Sequence, residues 1–429
     1  MDVLWAIINN VLTDATILIG LIVCLGLVVQ KKPADQIIIG TMKAIMGIII
    51  LNTGSGVMAG VISSYLSPLL LEAFHIEGLV PMTTSVVAVA TEGYGSTVAY
   101  IIVGAFIINL VLARLTPFKY IFLAGHHFLY VACAMTIAMA CVGVGGIPAV
   151  VIGSIVGGLC YTFLPAINQK RMNEITDGEP LAIGHFGATG YWLAGQAGKI
   201  FSKDKDNSVE SIKMPKGLGW AKETVCAVAV VMLILLAACT AVAGPDFLAN
   251  ELGVTQSPIT FVITQGVTFG AGLTILLQGV RMMVSEILTA FEGIATKVVP
   301  HAIPALDVPV VFPYSPNAVL VGFLSATVAG VITSILFSFV IGTFVVPPVI
   351  EFFFMGGTGA IFGNRTGGVK GAILGGAING ILFIIVPWIY FTACQSILGP
   401  LAVTVVDPDF TWASLLAMGA ALGVSGLGF

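Results

Sequence analysis

Three histidines and one aspartate stand out in a chain with few other groups able to do chemistry. His126 and His127 adjoin in "LAGHHFLY", His185 sits in "AIGHFGATG", and Asp307 sits in "PALDVPVVFPYSPNAV". A carboxylate accepts hydrogen bonds, a neutral imidazole donates from one nitrogen and accepts at the other, and a hydroxyl does both. Hydroxyls follow at Thr83, Thr84 and Ser85, and aromatic faces lie near the histidines at Tyr130 and Phe186. That set suits a polyol or sugar, whose O–H groups donate to the carboxylate and accept from imidazole N–H while its C–H faces stack on rings. A second reading stays open for each. The paired histidines can bond helix carbonyls inside a core, and Asp307 can cap its own proline-rich turn.

These groups sit in an unusually apolar chain. Of 429 residues, 58% are hydrophobic and only 9% charged, with a mean hydropathy of +1.06. Soluble domains carry about 25% charged residues, so the composition implies an all-α polytopic membrane protein. A carboxylate placed within such a chain is a functional candidate by default. The first twenty residues lack a basic stretch and a small-residue cleavage site, so no removable signal peptide is expected. The seven cysteines are scattered through apolar runs without a CxxC spacing and read as small core residues. HExxH, GxSxG and paired intramembrane aspartates are all absent from the sequence, which disfavours an intramembrane enzyme. No cofactor or metal motif and no nucleic-acid-binding patch is present, and no catalytic residue is assigned.

Positioning the candidates requires spanning helices of roughly 20 apolar residues each. Eleven runs qualify, near 8–29, 37–64, 97–113, 120–142, 146–167, 224–244, 257–280, 317–343, 350–368, 371–393 and 411–428. The 350–368 run is the weakest. Lys and Arg cluster in alternate connections, with eight of them in 168–223. The connections 65–96, 143–146, 245–256, 344–349 and 394–410 contain none. Under the positive-inside rule the N-terminus is outside and the C-terminus inside.

Stretches 82–96, 179–198 and 304–319 fit neither a spanning helix nor a polar loop. They are apolar, yet too short or too rich in Gly and Pro to cross. Such interrupted segments point to a transporter's binding site, because irregular backbone at membrane depth must be covered by protein or line a watery cavity. "YGSTVAYIIVG" (94–104) and "YSPNAVLVGFL" (314–324) each begin at a Tyr and run into a helix. Residues 1–429 thus read as one membrane domain. A five-helix repeat (1–167) is followed by a cytoplasmic loop (168–223) with a re-entrant segment near 179–198. An inverted second repeat (224–393) and an extra C-terminal helix (394–429) complete it.

The motifs "AGHHF", "TDGEPLAIGH", "SVESIKMPKGL", "LLQGVRMMVSEILTAFEGIATKVVPHAIPALD" and "YSPNAVLVGF" resemble the membrane (IIC) component of ascorbate-type phosphotransferase-system permeases. The likeness runs over nearly the whole chain and is most specific at 277–323. It implies a homodimer in the bacterial cytoplasmic membrane, each protomer with a core domain and a scaffold. Transport is then elevator-like, and cytoplasmic IIA and IIB proteins carry phosphate from phosphoenolpyruvate to the sugar. The family's ligand histidines fall on His126 and His185, its aspartate on Asp307, and its polar residues near the first break around Met82 to Ser85. Two departures accompany the likeness: Gln is expected where this chain has Phe186 and Tyr130. A related pentose, pentitol or sugar acid therefore competes with ascorbate as the expected ligand. The competing class is a cation-coupled secondary transporter in which Asp307 and His126 bind a proton or ion. The loop 201–222 reads either as a dock for a cytoplasmic partner or as a plain positive-inside anchor.

Overall fold

A backbone in hydrocarbon must satisfy its own N–H and C=O groups, and the apolar runs do so as helices. The computed structural model describes residues 15–74, 78–202, 206–212, 224–297 and 299–425. Helices α1 (Ala15–Val29) and α2 (Ala34–Val61) lead through a π-helical turn at Ile62–Leu66 into α3 (Ser67–Phe74). Strand β1 (Val80–Pro81) and helix α4 (Thr83–Leu115) follow, then β2 (Tyr120–Phe122), α5 (Gly125–Cys141), α6 (Gly146–Ile175), β3 (Ala182–Ile183) and α7 (Ala188–Phe201). The remainder comprises α8 (Thr224–Ala243), α9 (Pro258–Lys297), β4 (Ile303–Leu306), a 3-10 segment at Val308–Tyr314, α10 (Pro316–Ile341), α11 (Gly357–Ala393), β5 (Val403–Thr404) and α12 (Pro408–Ser425). Among the described residues six helical stretches are long and apolar enough to cross a membrane, the last of them spanning Val349–Ala393. The chain is a multi-pass membrane protein.

The helices pack in two groups. In the first, α2 lies against α9, α1 and α8 join them, and α3 with the π-helical turn before it packs on α8. Glycines let the α2 and α9 backbones touch. A Cβ on Gly54 would lie 2.3 Å from the Leu276 nitrogen, and one on Gly279 would lie 2.3 Å from the Leu51 nitrogen. Close approach of this kind replaces the hydrophobic effect as the glue between helices in lipid. The second group joins α4 to α5 and α6, α7 and α10 to α11, and α12 to α5.

Two expectations are revised, and a third stretch is resolved into elements. The 82–96 stretch is helical: α4 runs through it with one non-helical residue, Tyr94 (φ −139°, ψ 26°). No proline falls between Thr83 and Leu115, so the Gly93–Tyr94–Gly95 step bends the helix without ending it. The 179–198 stretch divides into β3 and the ordered helix α7. Helices α6 and α9 outrun their expected ends at 167 and 280, reaching Ile175 and Lys297. Hydropathy marks where the apolar stretch stops, whereas the helix continues through residues that still favour helical backbone.

The expected pair of spans at 350–368 and 371–393 is a hairpin. Gly367 (φ −139°, ψ 15°) and Gly368 (φ 58°, ψ −147°) leave helical geometry. A Cβ on Gly375 would stand 2.2 Å from the Gly359 carbonyl oxygen. A straight helix would hold those two residues roughly 24 Å apart, so the chain doubles back. The left-handed φ of Gly368 is the kind of turn that glycine adopts at little steric cost.

Two short parallel sheets tie these parts together. Strands β2, β4 and β3 form one in that order. Strands β1 and β5 form the other, and a bridge from Leu79 to Val345 extends that contact. Parts of three connections that lack basic residues, 65–96, 344–349 and 394–410, therefore meet. Of the 201–222 loop only Phe201, Ser202 and Asp206 to Ile212 are described; all five of its lysines lie outside the described residues.

Candidate functional site

The three-stranded sheet positions the chemistry. All its strands run parallel, so their C-terminal ends share one edge. Central β4 ends at Leu306 and hands the chain to Asp307. On one flank β2 leads through Leu123 and Ala124 into the first turn of α5, which carries His126 and His127. On the other, β3 leads through Gly184 to His185 and Phe186. Hydrogen bonds beyond the strands hold these exits in register, Leu123 N–H donating to the Ala305 carbonyl at 2.9 Å and Gly184 N–H to that of Leu306 at 2.7 Å. The C-terminal edge of parallel strands is a recurrent place for ligands, and here it gathers groups that are distant in sequence.

Asp307 stands between two imidazoles. Its Oδ2 is 3.8 Å from His126 Nε2 and its Oδ1 is 3.8 Å from His185 Nε2. Oδ1 also accepts the Val308 N–H at 2.7 Å, capping the 3-10 segment. Oδ1 thus serves both the cap and the His185 side, while Oδ2 faces His126 alone. His185 is almost wholly buried, and its Nδ1 accepts the Gly187 N–H at 2.8 Å with the Tyr191 hydroxyl 3.0 Å away. A backbone N–H can only donate, so Nδ1 is unprotonated and Nε2 carries the hydrogen. His185 is a fixed N–H donor aimed at Asp307.

His127 lies between the other two rings, with centroids 4.2 Å from His126 and 4.4 Å from His185. Phe186 stacks on it at 5.7 Å with planes 12° apart, and Phe410 stacks on Phe186 in turn. His127 is buried, and neither ring nitrogen has a protein hydrogen-bond partner.

A cavity of about 620 Å³ ends on His126, His127, Tyr130 and His185. Thr83, Thr84, Glu351 and Asp407 also line it, while Ser63, Pro68 and Leu71 are its lining residues from the first helix group. The expected site residues separate accordingly. His126, Tyr130, His185, Thr83 and Thr84 reach the wall, and Asp307 stands beside the two histidines. Thr83 has its hydroxyl oxygen engaged by the Val406 N–H at 3.0 Å. Ser85 is not among the lining residues, and Phe186 is fully buried behind His127.

Sequence reasoning singled out His127 with His126 as a doubled histidine but assigned it no binding role, and it overlooked Glu351, Asp407 and Asp409 as site residues. Asp407 and Asp409 fall in "VVDPDF", which reads as an external loop, yet both are buried. Asp409 accepts hydrogen bonds from the Thr189 N–H and hydroxyl, and its own N–H donates to the Phe186 carbonyl at 2.8 Å. The start of α12 thereby clamps the His185 turn to the N-terminus of α7.

Two groups in this site bring potential metal-ligand atoms within 4.8 Å of one another: His127, His185 and Asp407, and His126, His127 and Asp307. The first does not suit a metal, because ligation requires a bare nitrogen and His185 Nε2 bears the hydrogen. The second joins partly exposed His126 and Asp307 to buried His127. Imidazole donors, carboxylate acceptors and ring faces suit hydroxyl recognition better than ion coordination.

Residues 10–409 match the family model described as EIIC-GAT, the PTS system sugar-specific permease component. The chain is also 27% identical to the ascorbate-specific PTS system EIIC component of Mycoplasma pneumoniae, an alignment covering 88% of this chain and 65% of that protein. The chain thus spans about 65% of the length of the curated relative it matches.

Proposed function

Starting from the fact that the chain belongs to the PTS sugar-specific permease family, we propose that it takes up a sugar or related polyol through the His126–His127–His185 cavity. The sugar binds from outside, Asp307 and the three imidazoles receive its hydroxyls, and a cytoplasmic IIB protein, charged through IIA, phosphorylates it. The observation that carries this reading is the convergence of three strand exits, two delivering histidines to the cavity wall and the third placing Asp307 beside them. Charge-assisted bonds from hydroxyls to a carboxylate are the stronger kind available to such a ligand.

The division of the helices supports an elevator-type movement. Every polar residue just assigned to binding belongs to the second helix group or to the sheet packed with it. The first group supplies Ser63, Pro68 and Leu71 to the wall. A core carrying the whole binding set past a glycine-packed scaffold would expose it to either side in turn. A homodimer, with the α2–α9 group as its scaffold, completes this reading.

The test is uptake of a labelled sugar into proteoliposomes loaded with matched IIA and IIB proteins and the general phosphotransfer proteins. Phosphorylated sugar should accumulate in the lumen only when phosphoenolpyruvate is supplied there. Accumulation of unmodified sugar driven by a proton or sodium gradient would replace this reading with the cation-coupled one.

A further inference from the structure

The seven cysteines read from the sequence as separate core residues, yet two of them meet. Cys141 is the last residue of α5, and Cys394 caps the C-terminal end of α11. Their side chains are hydrogen-bonded to each other, and the Cys141 sulfur also accepts from the Ser396 hydroxyl and the Ile397 N–H. Cys394 is fully buried, Cys141 is half-buried, and both thiols are free in this structure. The packing beside them is fixed. One turn earlier on α11, the buried Tyr390 hydroxyl donates to the Ala134 carbonyl of α5 at 2.9 Å. The Cys394 N–H donates to the Tyr390 carbonyl at 2.9 Å, so the end of the helix sets its position. From hydrogen-bond contact the two sulfurs need to close by only about 1–2 Å to reach the S–S bond length of about 2.05 Å.

Cys141 leads into the connection 143–146, and Cys394 opens the connection 394–410; both lack Lys and Arg. The positive-inside rule assigns such connections to the outer face, where disulfides form and persist. Beyond Cys394 the chain runs through β5 to Val406 and Asp407 on the cavity wall.

We propose that Cys141 and Cys394 form a redox site on the outer face, closing to a disulfide that staples α5 to the connection carrying Val406 and Asp407. The proposal rests on the sidedness read from the basic residues and stands apart from the sugar-binding reading. Half-buried Cys141 meets the oxidant, a small-molecule disulfide. Its thiol loses a proton to water, the thiolate attacks one sulfur of the small disulfide, and the other sulfur leaves as a thiolate. The Cys394 thiol then gives up its proton and attacks the Cys141 sulfur of the mixed disulfide, releasing the second small thiolate. Two protein thiols become one disulfide, and one small disulfide becomes two thiols. Burial keeps Cys394 from the oxidant and leaves it the resolving role. The link closes a long loop, so it removes freedom from the unfolded chain and raises stability.

The test uses oxidised glutathione on the full chain, purified reduced in detergent. After oxidation, free thiols are alkylated with N-ethylmaleimide and the protein is digested without reductant. Mass spectrometry should find the peptides holding Cys141 and Cys394 joined, and thermal melting should rise by at least about 3 °C. Cys394→Ser should keep a stable glutathione adduct on Cys141 with no gain in melting temperature. Cys141→Ser should leave the Cys394 thiol free for alkylation once the protein is denatured. Protein trapped with acid and alkylated directly from the producing cells, grown in air, should already carry the link. A folded protein whose two thiols both stay free, or whose Cys141 keeps glutathione although Cys394 is present, overturns the pair. A link that forms in detergent and is absent from the acid-trapped protein overturns the outward assignment. Neither result touches the sugar-binding reading, which uptake tests separately.

Discussion

Two turns in this molecule begin alike and end in different environments. Both leave a parallel strand through Gly-His, at Gly125–His126 and at Gly184–His185, and both run into the N-terminal end of a helix. His185 is 2% exposed, with one nitrogen held by a backbone N–H and a tyrosine near the same atom. The His126 side chain is 44% exposed, and its contacts are Asp307 and the rings of His127 and Tyr130. The same dipeptide therefore yields a preset donor on one side and an adaptable one on the other. A site that must bind, release and change its exposure has use for both. In the proposed site the rigid donor would fix ligand orientation without ordering cost at binding, and the looser one would follow the ligand.

The largest effect should come from removing the rigid member. His185→Ala leaves the buried Gly187 N–H and Tyr191 hydroxyl without their acceptor, at about 1–3 kcal/mol for each unsatisfied group. Thermal melting in detergent should fall clearly, and ligand affinity should drop more than tenfold. An unchanged melting temperature would erase the distinction between the two turns.

Asp307→Asn comes next. Asparagine retains an oxygen to cap Val308, so the fold should persist, while the charge shared by both imidazoles is lost. The expected cost in binding is about 1.5–3 kcal/mol, the range for hydrogen bonds to charged groups. Normal affinity in a well-expressed variant would reduce Asp307 to a turn cap.

The two departures from the family pattern should then part company. Phe186→Gln inserts an amide into a stack between His127 and Phe410 and should cost about 1–3 kcal/mol of stability. Tyr130→Gln, on the cavity wall beside His126, should alter ligand preference with little change in melting. Equal changes in ligand preference from both would place Phe186 at the ligand despite its burial.

The smallest effect concerns the adaptable turn. His126→Ala removes a half-exposed ring with no locking bond, so affinity should fall by about 1 kcal/mol with melting unchanged. A melting drop as large as that of His185→Ala would show that both histidines are structural.

Much of this molecule follows from local sequence. Apolar runs long enough to cross, and the placement of Lys and Arg, rest on sums over short windows, and those sums survive folding. The irregular backbone after Pro304 was likewise legible, because proline acts on its own residue and its immediate neighbours. So was the candidacy of His126, His185 and Asp307, since ionisable groups are conspicuous where nearly all else is apolar. Their convergence was decided elsewhere. Strands of two to four residues have no periodicity to read, yet they align residues 120–122, 182–183 and 303–306 and so bring Asp307 between the histidines. Glycine contacts between Gly359 and Gly375 turn α11 back on itself, a fact no hydropathy window contains. The burial of Asp407 depends on 403–404 pairing with 80–81 across the length of the chain. A side chain's local residue type establishes what it can donate or accept. Whether it meets lipid, water, a ligand or another carboxylate depends on segments hundreds of residues away, and only their packing decides it.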